Sequence, residues 1–345
     1  MKALQLTEIG RPLSLVDIPS PEPGFGEAVV KVAAAGICHS DAHYRNGTSM
    51  LRGLPLVPGH EISGIVETVG PGVTAPRTGE RVCVHYLWSC GRCRYCNLGQ
   101  EQFCTEGRMI GKDCNGGYAE LVLVPARNLF TVPKSIPMSQ AAVMMCSSAT
   151  ALHALRKGAL QPGESVAVFG LGGLGMSAVQ IAAAFAPRMV IAVDVDDGKL
   201  ALAESFGALP VNGAKVDPVE AIRDLTEGRG ADVAVELIGL PLTMRQAVAS
   251  LGVQGRASLA GISDRSFEVD SYTELIGKEA SIVGVSDHLS SEIPRLIEMA
   301  ASGALKLDHV VSETVPLEAG PVNAVLDSLE RFSSPVRTVI EFAET

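Results

Sequence analysis

The sequence predicts an α/β fold in two parts: a doubly wound parallel sheet of six strands, and a β-rich domain resembling a partly closed barrel. Three observations predict it. Between about residues 148 and 285, apolar strands alternate with helical segments, which is the pattern of parallel βαβ units. Inside that region Gly170-Leu171-Gly172-Gly173-Leu174-Gly175 follows directly on an apolar strand and precedes a helical run. From residue 1 to about 147 the chain shows short Val- and Ile-rich runs broken by Gly and Pro, with weak helical periodicity.

In the first part, Ala28–Ala34, Gly64–Val69 and Arg81–His85 read as strands, and Pro21, Pro23, Gly24 and Gly26 form a turn cluster between the opening strands. A lobe at 88–105 contains Cys90, Cys93, Cys96 and Cys104, with two, two and seven residues between them. Four thiols so spaced can close around one tetrahedral metal, and a lobe this short has no core of its own to hold it. An iron–sulfur cluster also takes four thiolates, but the long last gap and the lack of Pro after Cys104 favour zinc. A site with all four positions filled leaves no room for substrate, so its role is structural.

A second set is dispersed: Cys38-His39-Ser40-Asp41, Gly59-His60-Glu61 and Cys146. Two thiolates and one imidazole suit a catalytic zinc with an open position. Glu61 stands beside His60 as a carboxylate near the metal, and Asp41 is placed to accept the spare N–H of His60. A bound zinc brings the pKa of a coordinated oxygen toward about 7, which would turn an alcohol into an alkoxide able to release hydride. Ser40 would take the alcohol proton and His43 would pass it to solvent. His39, adjacent to Cys38, would face a cofactor phosphate. Cys83 and Cys114 read as small buried apolar residues, and His85, His153, His288 and His309 as structural.

In the second part Ser165–Phe169 is the strand before the glycine run. The first glycine permits the tight turn, the second lets the backbone approach a pyrophosphate, and the third lets helix and strand pack closely. The helix N-terminus offers free N–H groups to the anion. The next strand, Met189–Val193, leads to Asp194, 24 positions after Gly170, where an acid bonds ribose hydroxyls. Asp194 would repel a ribose phosphate and no Arg follows it, so NAD is expected over NADP; Lys199 would touch the ribose. Helices are expected at Asp197–Phe206, Pro218–Glu227 and Leu242–Leu251, with strands at Asp232–Leu237, Arg256–Ala260 and Ser281–Val285. Gly261 and Val283 to Val285 lie at strand ends where a nicotinamide ring would rest. Residues 286–345 bring helices at Ser291–Ala301 and Pro321–Phe332 and a strand at Val336–Phe342. That closing strand suggests a return to the first domain, with the active site between the domains.

Composition narrows the function. The chain has 345 residues, enough for two domains, and a net charge of −10, which argues against a nucleic-acid partner. No apolar run approaches a membrane span and the opening MKALQLTEIG has no signal core, so a cytoplasmic protein is expected. In that compartment eight Cys point to metal or chemistry before disulfides.

Taken together, Cys38-His-Ser40-Asp41 with His43, Gly59-His60-Glu61, the four-Cys lobe, Cys146, and Gly170–Gly175 with Asp194 resemble the zinc-dependent medium-chain alcohol dehydrogenases over the whole chain. The resemblance implies a GroES-like catalytic domain (1–147), a Rossmann NAD-binding domain (148–285) and a return segment (286–345). It implies two zinc ions per chain. Cys38, His60 and Cys146 would hold the catalytic one, with Glu61 as an alternating ligand; Cys90, Cys93, Cys96 and Cys104 would hold the structural one. Ser40 and His43 would be the proton relay, and His39 would lie near the pyrophosphate. Trp88 resembles pocket-lining residues, with Leu87, Tyr44 and Met109 as further pocket candidates. The implied activity is reversible hydride transfer between a primary or secondary alcohol and NAD, giving an aldehyde or ketone, and the implied assembly is a homo-tetramer or dimer. Polyol, amino-alcohol and cyclic hydroxyacyl substrates belong to the same family, and a zinc-containing binding protein that has lost the reaction is the alternative outside enzymes.

Overall fold

The computed structural model describes residues 1–331 and 336–342. The chain opens on an antiparallel pair, β1 (Lys2–Gln5) and β2 (Ser14–Asp17). Strand β3 (Glu27–Ile37) follows, buried along most of its length, and runs into helix α1 (His39–Asn46). Next come β4 (Glu61–Val69) and β5 (Arg81–Val84). The cysteine lobe consists of the short pair β6 (Leu87–Trp88) and β7 (Arg108–Met109) around a one-turn helix, α2 (Arg94–Asn97). Strands β8 (Leu121–Pro125) and β9 (Leu129–Thr131) lead to α3 (Met138–Val143), a π-helical turn at Met144–Ser148, and α4 (Ala149–Lys157).

A regular alternation then begins: β10 (Ser165–Phe169), α5 (Gly173–Ala182), β11 (Met189–Asp194), α6 (Asp197–Ser205), β12 (Leu209–Asn212), α7 (Pro218–Leu225), β13 (Ala231–Glu236), α8 (Pro241–Ala249), β14 (Leu251–Leu259) and β15 (Ser281–Gly284). These six strands form one sheet in the order β12-β11-β10-β13-β14-β15, parallel throughout. The order reverses between β10 and β13, which makes the carboxyl ends of those strands the expected binding edge. Phe169, Ile191, Val193, Ala234 and Ala257 are among the side chains packed in its core.

The chain ends with α9 (Ile293–Ala301), β16 (Glu313–Val315), α10 (Ala319–Glu330) and β17 (Thr338–Glu341). Strands β16 and β17 join the first sheet, giving the order β16-β17-β3-β4-β5-β9 with β8 paired to β3. The molecule thus divides into two units, Met1–Cys146 with Leu289–Thr345, and Ser147–His288. Val30, Ile37, Ile62, Val84, Tyr86, Tyr118, Leu326 and Ile340 belong to the core of the first.

Several elements differ from the sequence-based expectation. Helix α1 has no apolar stripe to announce it; its buried face is Asp41, Ala42, Tyr44 and Arg45. Strand β14 starts at Leu251, where the sequence reads as a helix end, because α8 stops at Ala249 and a bulge with Gln254 at φ 57 carries the chain into the later strand. Strand β16 was not expected. The helix expected at Pro321–Phe332 begins two residues earlier and runs to Glu330; Phe332 itself lies outside the described residues.

Candidate metal centre and nucleotide site

Sheet register brings the dispersed ligands together. Gly36, near the end of β3, is paired with Glu61 at the start of β4, so Cys38 and His60 flank the same rung. Gly36 has to be glycine here: a Cβ would stand 1.9 Å from the Glu61 carboxylate. Cys146 arrives from the π-helical turn after α3. One donor atom from each of Cys38, His60, Glu61 and Cys146 lies within 4.8 Å of the others, and all four residues are buried. The Cys38 and Cys146 sulfurs are 4.0 Å apart, too far for a disulfide and suited to a shared ion.

The buried donors of the cluster shift one another in opposite directions. The hydrogen bond with Cys146 holds the Cys38 thiol well below its ordinary value against the pull of burial, assisted by Arg337 and His60. The same hydrogen bond, with burial, pushes Cys146 well above its ordinary value. Burial works against a charged His60, but the Asp41 carboxylate and the Cys38 sulfur outweigh it and raise the imidazole well above its usual range. Both ring nitrogens of His60 are buried, and Nδ1 faces the Asp41 carboxylate at 3.4 Å. A buried imidazole, two thiols and a carboxyl, their donor atoms within 4.8 Å of one another, are the soft and borderline donors that zinc takes, so the residues present fit that ion.

Asp41 lies behind the ligands. Its Oδ2 accepts from the Cys38 amide at 2.9 Å and its Oδ1 from the Gly59 amide at 3.2 Å, while His60 Nδ1 is 3.4 Å from Oδ1. Glu61 meets a buried cation that sequence reasoning missed: Arg337 Nη2 is 3.2 Å from Glu61 Oε1, and Arg337 Nη1 donates to the Ile37 carbonyl at 3.1 Å. Burial raises the Glu61 carboxyl to about 8 despite Arg337. Only the expected return of a strand near the end of the chain hinted at this residue.

Helix α1 carries the relay candidates. Ser40 Oγ lies 3.7 Å from Cys38 Sγ, and His39 and His43 are one turn apart with ring centroids at 4.7 Å. Burial, then the neighbouring His43, lowers the His39 pKa. The helix is tied down by Arg45, whose Nη2 reaches Asp327 at 2.6 Å and Glu330 at 2.9 Å on α10. Of the pocket candidates, Tyr44 donates to the Met109 sulfur at 3.4 Å, and Leu87 is paired with Met109 across β6 and β7, with Trp88 beside it. Tyr86, passed over in the sequence, packs edge-on to His60 at 5.1 Å.

In the lobe, Cys90, Cys93, Cys96 and Cys104 also place their sulfurs within 4.8 Å of one another. The Arg92 and Cys93 amides donate to Cys90 Sγ at 3.4 and 3.3 Å, and the Cys90 amide donates to Cys104 Sγ at 3.2 Å. Such N–H groups stabilise thiolates; hydrogen bonds from the Cys96 and Thr105 backbone bring Cys93 down to about 6.

In the second unit Gly170 has φ 91, Gly172 caps α5 and Gly173 is its first residue. A Cβ on Gly175 would stand 1.7 Å from the Gly170 carbonyl oxygen, so this glycine is required by the close approach of helix and turn. Leu174, inside the first turn of α5, is half-buried. Asp194 at the end of β11 accepts the Leu171 amide at 2.7 Å and the Val195 and Asp196 amides at 2.7 and 3.1 Å, joining the acid to the glycine turn. Lys199 sits in the first turn of α6, where its amide donates to Asp196. Val283 lies on β15 opposite Ser258, and the Val285 amide donates to Leu259. Glu236, at the carboxyl end of β13, was not anticipated; its Oε1 gathers the Ile238 and Gly239 amides and the Thr243 hydroxyl.

Comparison with known proteins bears on the family and fold. Residues 24–134 match the alcohol dehydrogenase GroES-like domain, and residues 173–302 match the zinc-binding dehydrogenase family. An NAD-dependent alcohol dehydrogenase of Sulfurisphaera tokodaii is 34% identical over 360 residues, covering 99% of both chains. An L-threonine 3-dehydrogenase of Bacillus velezensis is 32% identical over 92% of this chain and 93% of its own. The alcohol dehydrogenase of Aeropyrum pernix superposes with a TM-score of 0.91 at 32% identity, covering 99% of this chain and all of that one.

Proposed function

The chain belongs to the zinc-dependent medium-chain alcohol dehydrogenase family, and from that premise we propose that it transfers hydride reversibly between a primary or secondary alcohol and NAD, giving an aldehyde or ketone. The observation that carries the reading is the gathering of Cys38, His60, Glu61 and Cys146 donors within 4.8 Å in a buried site. Cys38, His60 and Cys146 would hold a catalytic zinc, with Glu61 beside it, and the four lobe cysteines a structural zinc, two ions per chain. Zinc at the first site supplies a Lewis acid that polarises the substrate oxygen.

The chain's own groups do the rest. Asp41 orients the His60 ring and Arg337 balances Glu61. Ser40 would take the alcohol proton and His43 would pass it to solvent; NAD, when bound, would supply the acceptor for the carbinol hydrogen and its electron pair, so one proton and one hydride account for the oxidation. The Gly170–Gly175 turn and the N–H groups of α5 would receive the pyrophosphate, and Asp194 would accept the ribose hydroxyls and repel a ribose phosphate. No helix among the described residues is long and apolar enough to cross a membrane.

The test is metal content with an alcohol panel. Two zinc per chain are expected, falling to one in Cys38→Ala, with turnover abolished and NAD binding retained. Activity in Cys38→Ala equal to the parent's would remove the zinc mechanism. Simple secondary alcohols compared with sorbitol and threonine separate the alcohol reading from the polyol and amino-alcohol ones. The threonine comparison is included because a threonine dehydrogenase is among the relatives.

A further inference from the structure

Asp41 has a fourth partner, a buried phenol. The Tyr118 hydroxyl donates to Asp41 Oδ2 at 2.9 Å. The Gly36 carbonyl is a more distant alternative at 3.4 Å. Tyr118, Asp41 and His60 are each at most 1% exposed. An ionised carboxylate offers about four acceptor positions. Here the Cys38 amide, the Gly59 amide, the Tyr118 hydroxyl and the His60 ring face them.

The phenol is held by backbone, independently of the ligands. Amides of Gly116, Gly117 and Tyr118 donate to the carbonyls of Val57, Gly59 and Pro58, so this segment pairs with the one that delivers His60. The ring lies flat enough against Gly59, itself at φ 93, that a Cβ there would meet it at 2.3 Å. Burial, and then the adjacent Asp41, keeps the phenol protonated well beyond its ordinary range, so it remains a donor.

We propose that Tyr118 is a positioning residue of the catalytic metal centre: its hydroxyl fixes the Asp41 carboxylate, which in turn orients His60 and sets how firmly the centre holds its zinc. The proposal rests on the reading of Cys38, His60 and Cys146 as zinc ligands. Its physical basis is that a carboxylate missing one of its donors can rotate, and a rotated Asp41 no longer points at His60 Nδ1. Losing a partner directly behind a metal-bound histidine lowers metal affinity about 10- to 100-fold. Tyr118 stands one bond further out, so the lower end of that range applies.

The experiment uses Tyr118→Phe, which keeps the ring against Gly59 and removes only the hydroxyl. The zinc-loaded protein is treated with a chromogenic chelator and release from each site is timed, the four-cysteine lobe serving as internal reference. The catalytic zinc is expected to leave about tenfold faster, with the lobe zinc unchanged. In an Asp41→Asn background, Tyr118→Phe should change release by less than about twofold, because the group it acts through is gone. Release matching the parent, equal acceleration at both sites, or an undiminished effect in the Asp41→Asn background would each overturn the proposal. A parent protein that loses no zinc on Cys38→Ala removes the metal centre itself, and the role of Tyr118 with it.

Discussion

His85 supplies an acid-sensitivity that can be worked from its surroundings. It follows β5, is 2% exposed and has Nε2 3.9 Å from Glu101. Burial lowers its pKa to about 4, against the opposing charges of Glu101 and Glu292. The sign follows from proton counting. Below about pH 6.5 the unfolded chain binds a proton that the folded chain refuses until about pH 4, so stability is complete above the window and is lost as pH falls through it. At about 1.4 kcal/mol per pH unit the full loss is about 3.5 kcal/mol, with about 2 kcal/mol already gone at pH 5. His85→Gln, a side chain that never charges, should lack this slope. For a domain of this size about 2 kcal/mol corresponds to roughly 4–8 °C in midpoint. Calorimetry of the zinc-saturated parent and variant, each at pH 7.5 and pH 5, gives a double difference in which acid effects common to both cancel. The parent's first-unit transition should fall further than the variant's by that amount. Parallel shifts in the two proteins would refute the assignment of His85 as a buried neutral imidazole.

Two further predictions address the cofactor and the buried ion pair. Asp194→Gly should relax the preference for NAD, because it removes the carboxylate that would repel a ribose phosphate; kcat/KM with each cofactor measures it, and an unchanged NAD to NADP ratio would show that another residue discriminates. Arg337→Met should destabilise the first unit by about 3 kcal/mol, the lower end of the range for removing one member of a buried pair, since Glu61 can take up a proton in response. Glu61→Gln in the same chain should restore part of the loss, and a denaturant midpoint unmoved by Arg337→Met would contradict the pairing.

The sequence made some of this legible and hid the rest for physical reasons. The glycine turn, the strand before it and Asp194 are local features whose residue types each have one structural use, and they fall at the carboxyl ends of β10 and β11. Cys38, His60 and Cys146 could be named because metal ligands are drawn from few residue types, although their meeting depends on the β3–β4 register. Helix α1 was hidden because it buries Asp41 and Arg45 through polar partners, leaving no apolar period to read. Arg337 and Tyr118 were hidden because an Arg near the end of the chain and a Tyr beside two glycines have many ordinary uses. Only the fold says that one faces Glu61 and the other Asp41.

The interruption of the first unit by the second bears on how the molecule is made. Synthesis delivers Glu61 early, but its guanidinium partner sits beyond the whole second unit. Strand β17, the neighbour of β3 on that side, is equally late. A nascent chain that has emerged only as far as His288 therefore carries Glu61 without its guanidinium partner and a sheet with an open flank. The second unit is already complete at that stage. Vectorial folding should leave the first unit as the later and more chaperone-dependent of the two, with Arg337 as the residue that closes it.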